Sequence, residues 1–264
     1  MKKIFITGAS SGIGRAIVTM LAEHGHEVWG TSRDLHRLPQ MPRFHPLHLD
    51  LADNASVQRC FETGVREAEY FDVVINNAGS GHFDPAENLS AKIIADQFQI
   101  LLFAQLQLMQ LAWQSMKPRR RGLIINVSSL ASRLPVPFMA AYNSAKAALA
   151  SFTMSIQLES SASGIHIVDL QPGDICTHFN EVVSKDGSEH NEKVARAWAK
   201  VDRNMKDAPK PELVAHRILK LIEQTNPPPR ITVGSTFQAI VAPLIFRFLP
   251  QRVRVWGLRN YYGI

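Results

Sequence analysis

The sequence predicts an α/β chain, a sheet of parallel strands with helices packed on both faces. Three observations predict it. Short apolar runs alternate with longer segments of helical spacing, which implies parallel pairing through helical crossovers. A glycine-rich stretch, Gly8-Ala9-Ser10-Ser11-Gly12-Ile13-Gly14, lies between the first run and the first helical segment. The 264 residues are 45% hydrophobic and show neither an internal repeat nor a linker, so a single domain over 1–264 with one large core is expected.

Lys3 to Thr7 reads as a short buried strand, and Arg15 to His24 carries apolar residues at helical spacing. Glycines between such elements let the backbone approach a pyrophosphate. The helix N-terminus adds N–H groups and a positive dipole end. A plain tight turn is the alternative. His26 to Ser32 is the second strand, followed by Arg33. An acidic residue at that point would hold the ribose hydroxyls of an adenine dinucleotide. A guanidinium suits a 2′-phosphate instead. NADP(H) is therefore expected over NAD, against the reading of Arg33 as a surface residue paired with Asp34.

Pro46 to Leu49 is a third strand ending in Asp50, and Asn54 to Glu69 a helix. Asp72 to Ile75 is a fourth strand, closed by Asn76-Asn77-Ala78-Gly79. One long helix is expected from Ala91 to Met116. Gly122 to Val127 is a fifth strand that runs into Ser128-Ser129. Ala140 to Ser160 is a helix, and Ile165 to Leu170 a sixth strand broken by Pro172-Gly173. A polar stretch from Asp174 to Ala208 contains Asp186-Gly187-Ser188 and then a short helical pattern. Pro211 to Glu223 is another helix, Pro227-Pro228-Pro229 a rigid connector, and Ile231 to Gly234 a seventh strand. Residues 235–264 form a C-terminal extension.

In the helix from Ala140, Tyr142 and Lys146 stand four apart on one face. A free tyrosine has a pKa near ~10. A fixed cation beside it favours phenolate and brings that pKa toward the range useful for proton transfer. Alone, the pair also describes an ordinary helix with an aromatic contact and a solvated lysine.

The net charge is +6, but it is local. Lys117, Arg119, Arg120 and Arg121 form one knot. Arg230, Arg247, Arg252, Arg254 and Arg259 lie in a tail, 230–264, without an acidic residue; without these two groups the net charge turns negative. No nucleic-acid recognition motif accompanies them, and the knot reads as a solvated loop. The tail mixes arginine with Phe246, Phe248, Leu249, Val253, Val255 and Trp256, a composition suited to a membrane surface or an apolar substrate. No apolar run is long enough to span a bilayer, and the apolar start after Lys2-Lys3 is too short for a signal peptide. Two cysteines, Cys60 and Cys176, suggest no disulfide framework and fit a reducing, cytoplasmic location. His82, His178 and His190 have no metal-ligand spacing, and no metal is expected.

Taken together, Thr7-Gly8-Ala9-Ser10-Ser11-Gly12-Ile13-Gly14, Asp50, Asn76-Asn77-Ala78-Gly79, Ser129, Tyr142-x-x-x-Lys146 and Pro172-Gly173-x-x-x-Thr177 resemble the short-chain dehydrogenase/reductase family in order and spacing, from residue 3 to about 234. The resemblance implies a Rossmann-type fold with a seven-stranded parallel sheet, and hydride transfer between a nicotinamide and a carbonyl or alcohol carbon. It implies Tyr142 as the acid–base, Ser129 as the partner of the same substrate oxygen, and Lys146 as the group that holds the nicotinamide ribose and lowers the Tyr142 pKa. Gly8, Ser10, Ser11, Gly12, Ile13, Gly14, Asn77, Ala78, Gly79, Pro172, Gly173 and Ile175 would surround the cofactor, with Asp50 at its adenine and Thr177 at its carboxamide.

One position departs. Family members usually carry an asparagine in the long helix that helps hold a water linking the lysine to solvent. Here it falls on Leu101, whose side chain cannot hydrogen-bond. The carbonyl of residue 101 could take its place if the helix bends there. A non-catalytic NADP(H)-binding sensor on the same fold is the competing function, favoured by Leu101 and opposed by the intact Ser129, Tyr142 and Lys146. An epimerase-type relative fits less well, because the chain is short.

Substrate contacts are expected from 79–83, 130–139 and 174–208. Pro135 to Met139 form an apolar lip before Tyr142, which points to an apolar ketone or alcohol; packing of the loop alone is the alternative. Family members commonly pair through the long helix and the tyrosine helix. Ala140, Ala141, Ala145, Ala147, Ala148 and Ala150 would permit close packing in a homodimer, or serve the core of one chain.

Overall fold

The computed structural model describes residues 1–177, 179, 183–184 and 191–264. His178, His190 and Asp186-Gly187-Ser188 lie outside them. The strands are β1 (Lys3–Ile6), β2 (Glu27–Ser32), β3 (Phe44–His48), β4 (Val73–Asn76), β5 (Gly122–Val127), β6 (Ile165–Pro172) and β7 (Arg230–Val233). They form one parallel, seven-stranded sheet in the order β3-β2-β1-β4-β5-β6-β7. The order reverses between β1 and β4. The crevice beyond the C-terminal strand ends at such a switch is where open α/β sheets bind ligands.

The helices are α1 (Gly12–Glu23), α2 (Asn54–Ala68), α3 (Ala91–Phe98), α4 (Ala104–Met116), α5 (Ala140–Glu159), α6 (Glu192–Lys206), α7 (Glu212–Glu223), α8 (Ala242–Phe248) and α9 (Gln251–Tyr262). Side chains alternate between the two faces along each strand. Ile4 and Ile6 therefore join Val28, Val73 and Ile75 in a core covered by Ile17, Val18 and Leu21 of α1 and Val214, Ile218 and Leu221 of α7. Phe5, between them, turns to the other face, with Trp29, Val74 and Ile124 under Phe61 of α2 and Leu108 and Met109 of α4. Each such fully buried side chain contributes about 1.5–3 kcal/mol.

The helix expected to run unbroken from Ala91 to Met116 is interrupted. A π-helical turn over Gln99–Phe103 separates α3 from α4. Gln105 Nε2 donates to the carbonyls of Ile100 and Ala78, both at 3.1 Å, and ties the widened turn to the end of β4. The expected β3 also shifts: it starts at Phe44 rather than Pro46. Pro46 has no N–H to donate, and β3 tolerates it because it is an edge strand.

A buried polar ladder seats α5 on the sheet. Asn76 Nδ2 donates to Asn126 Oδ1 at 2.8 Å, and Asn126 Nδ2 donates to Thr153 Oγ1 at 2.9 Å. The pattern after residue 190 is a full 15-residue helix, α6. The extension folds back as a π-helical turn, Phe237–Val241, followed by α8 and α9. The Asn204 amide of α6 donates to the Tyr261 hydroxyl of α9 at 2.9 Å.

Candidate active site

A cavity of about 1330 Å³ opens at the C-terminal strand ends and runs from the Gly8–Gly14 turn to α8 and α9. The turn at one end is built for close approach. Gly8 has φ +74°, and a Cβ there would stand 2.8 Å from Ala78 Cα. A Cβ on Gly14 would stand 1.9 Å from the Gly8 oxygen. Thr7 Oγ1 accepts the backbone N–H groups of Asn77 and Ala78 at 3.0 Å each, and Asn77 Nδ2 donates to the Thr7 carbonyl at 3.0 Å. Asn77 thus locks β1 to β4 beneath the turn.

Ser11 heads α1 without capping it through its side chain. The first-turn N–H groups are left to an anion, as a bound pyrophosphate requires. Ser10, Gly12 and Ile13 complete this end of the cavity, and Thr177 lies against Gly12, 3.4 Å from where a Cβ would be. Pro172, Gly173 and Ile175 border the same space, with Ile175 also buried in the first core. These groups fit a dinucleotide.

Arg33 lines the cavity beside Ser32. Its expected alternative partner is engaged elsewhere: Asp34 Oδ1 accepts the His36 N–H at 3.0 Å and caps the short turn Leu35–Arg37. Arg37, which sequence reasoning missed, stands at the same end. Its signal was available as a second arginine four positions after the first. Asp50 lines the cavity between Leu49 and Leu51 and accepts the Ala52 N–H at 3.0 Å.

Ser129, Tyr142 and Lys146 converge on the cavity wall. Burial raises the Tyr142 pKa; a side-chain hydrogen bond with Ser129 offsets only part of that rise, and the Asp174 carboxylate adds to it. The net direction is thus set by burial and not by the neighbouring cation. Lys146, 4% exposed, is itself pushed down to about 8 by loss of hydration, and its ammonium donates to the Val127 carbonyl at 2.8 Å. Leu101 and Lys146 border Gly79 from two sides: a Cβ there would meet Leu101 Cδ2 at 3.4 Å and Lys146 Nζ at 3.9 Å. The helix does leave α-geometry at Leu101.

Beside Tyr142 the cavity wall is apolar. Met139 and Val136 of the lip face Phe179, Val183 and Trp198, and the extension adds Phe237, Ile245, Leu249 and Tyr262. Gln238, also missed, fixes Asp174 at the cavity edge. Its position in the extension carried no motif that could have announced it. His82 turns away from this wall and pairs through Nδ1 with Ser184 Oγ at 2.6 Å. Among the described residues no three His, Cys, Asp or Glu side chains gather as a metal site, and no helix is long and apolar enough to cross a membrane.

The short chain dehydrogenase family model matches residues 2–188. The 3-ketodihydrosphingosine reductase of Bacteroides thetaiotaomicron is 29% identical over 266 residues, 99% of this chain and 98% of that protein. The NADPH-dependent 1-acyldihydroxyacetone phosphate reductase of Schizosaccharomyces pombe is 31% identical over 181 residues, 67% of this chain and 60% of that protein. A short-chain dehydrogenase structure from Streptomyces avermitilis superposes with a TM-score of 0.80 at 24% identity, covering 98% of this chain and 93% of that one, a likeness of fold.

Proposed function

This chain belongs to the short-chain dehydrogenase family, and from that premise we propose that it reduces a ketone on an apolar body with NADPH. The observation that carries the reading is the meeting of Ser129 and Tyr142 on a cavity whose one end is a phosphate turn and whose other wall is apolar. NADPH, when bound, supplies the hydride. Tyr142, whose pKa burial raises, is held in the protonated form that reduction needs. It gives its proton to the carbonyl oxygen as charge develops there, and Ser129 donates a second hydrogen bond to that oxygen. Lys146 stands beside them for the nicotinamide ribose. Arg33 and Arg37 support NADP over NAD, since two guanidiniums at the ribose end match a 2′-phosphate.

The two relatives bear the names of 3-ketodihydrosphingosine and 1-acyldihydroxyacetone phosphate. An apolar ketone suits the wall of Met139, Trp198, Ile245 and Leu249 in the same way. Homodimer pairing through α4 and α5 belongs to the same reading. Ala141, Ala145 and Ala150 are consumed by the core of one chain, but Met154 and Leu158 of α5 and Phe103 before α4 are exposed. Loss of NADPH absorbance with a panel of apolar and polar ketones tests the function. Turnover of an apolar ketone by wild type, absent in Tyr142→Phe, is expected; equal turnover in both proteins overturns it.

A further inference from the structure

The extension is amphipathic with its apolar face turned outward. Phe237, Ile240, Val241, Leu244, Ile245 and Phe248 recur at i, i+3, i+4, i+7, i+8 and i+11, and each is 38–75% exposed. In α9, Arg252, Val255, Trp256 and Arg259 follow the same period and are all exposed, Trp256 by 69%. Contiguous apolar surface of this kind is a mark of an interaction site. Its charge names the partner: four arginines and no acid between 235 and 264.

We infer that α8 and α9 dock on the surface of an anionic lipid bilayer. Phe248 and Trp256 enter the headgroup boundary, and Arg252 and Arg259 meet lipid phosphates. The location favours lipid over a second copy of the chain. Phe237, Ile245 and Val253 are both exposed and part of the cavity wall, so whatever covers the stripe lies over the entrance. A protein seated there would close the cavity. A bilayer covers the stripe and also holds apolar ligands. Only this delivery role rests on the ketone reductase reading; docking itself does not.

The test is flotation of the full chain with vesicles of phosphatidylcholine alone or mixed with phosphatidylglycerol, without substrate. Wild type should float with the anionic vesicles and be released in part by high salt. Arg252→Gln with Arg259→Gln should lower partitioning roughly 30-fold, about fivefold for each charge. Phe248→Ser with Trp256→Ser should abolish flotation, while reduction of a short water-soluble ketone stays unchanged. Wild type that remains at the bottom overturns the inference, as does flotation indifferent to these variants. A dimer in sedimentation velocity that Phe248→Ser dissolves assigns the stripe to a second copy and overturns it too. Inactive protein that still floats would sink the reductase reading and leave docking standing.

Discussion

Gln238 holds Asp174 from both sides. Its amide oxygen accepts the Asp174 backbone N–H at 3.1 Å, and its NH₂ donates to Asp174 Oδ2 at 2.5 Å. Asp174 in turn helps keep the Tyr142 phenol protonated. One side chain of the C-terminal segment therefore reaches the Tyr142 phenol through a single neighbour.

Gln238→Leu strands a half-buried carboxylate and backbone N–H. The expected cost is about 1–3 kcal/mol, or roughly 2–10 °C in melting temperature by calorimetry. An unshifted melting curve would show that the clamp contributes nothing.

Tyr142→Phe keeps the ring and removes the proton. The turnover number should fall about a hundred- to ten-thousand-fold, while NADPH affinity, read by fluorescence titration, stays within a factor of about three. A loss of less than tenfold would take proton transfer away from Tyr142.

Lys146 titrates near 8 in the folded chain, against 10.5 for its ordinary value, because burial disfavours the ammonium. Between those values the unfolded chain holds the proton and the native chain does not. Unfolding free energy should therefore rise with pH through that window, by roughly 3 kcal/mol if the whole shift is expressed. Urea unfolding across the window checks this. The rise should vanish in Lys146→Met, and a fall in wild type would contradict the assignment.

Arg33→Ala with Arg37→Ala should raise the KM for NADPH about 10- to 100-fold and leave that for NADH nearly unchanged. Equal changes for both dinucleotides would remove the 2′-phosphate role.

Gly14→Ala places a methyl group against backbone, 1.9 Å from the Gly8 oxygen, with no flexible side chain to yield. Overpacking of this kind costs about 1–3 kcal/mol. The expected result is loss of dinucleotide binding in titration with helical content by circular dichroism retained. Native affinity in the variant would mean that the turn opens easily.

Local signals made the sheet legible. Runs such as Val73 to Ile75 and Gly122 to Val127 are buried throughout, and buried parallel strands read as continuous apolar segments. The glycine turn and the Tyr142–Lys146 pair were legible for the same reason: each depends on spacing within one element. Gln99 to Phe103 misled because its side chains suit an α-helix; the π-turn is set by Gln105 reaching back to Ala78 and Ile100. The rise of the Tyr142 pKa was not legible, because burial is a property of the whole fold. Gln238 reaches the site through contacts that no sequence interval encodes.

The phosphate turn and the Ser129, Tyr142 and Lys146 trio sit on the sheet and on α1 and α5, whereas Gln238, Ile245, Leu249 and Tyr262 arrive from the last stretch of chain. Part of the cavity's apolar lining is thus supplied by a segment that carries none of those three side chains. Swapping the segment after β7 between homologues is a route to new selectivity that leaves the reacting groups untouched, provided the Gln238–Asp174 joint is carried along.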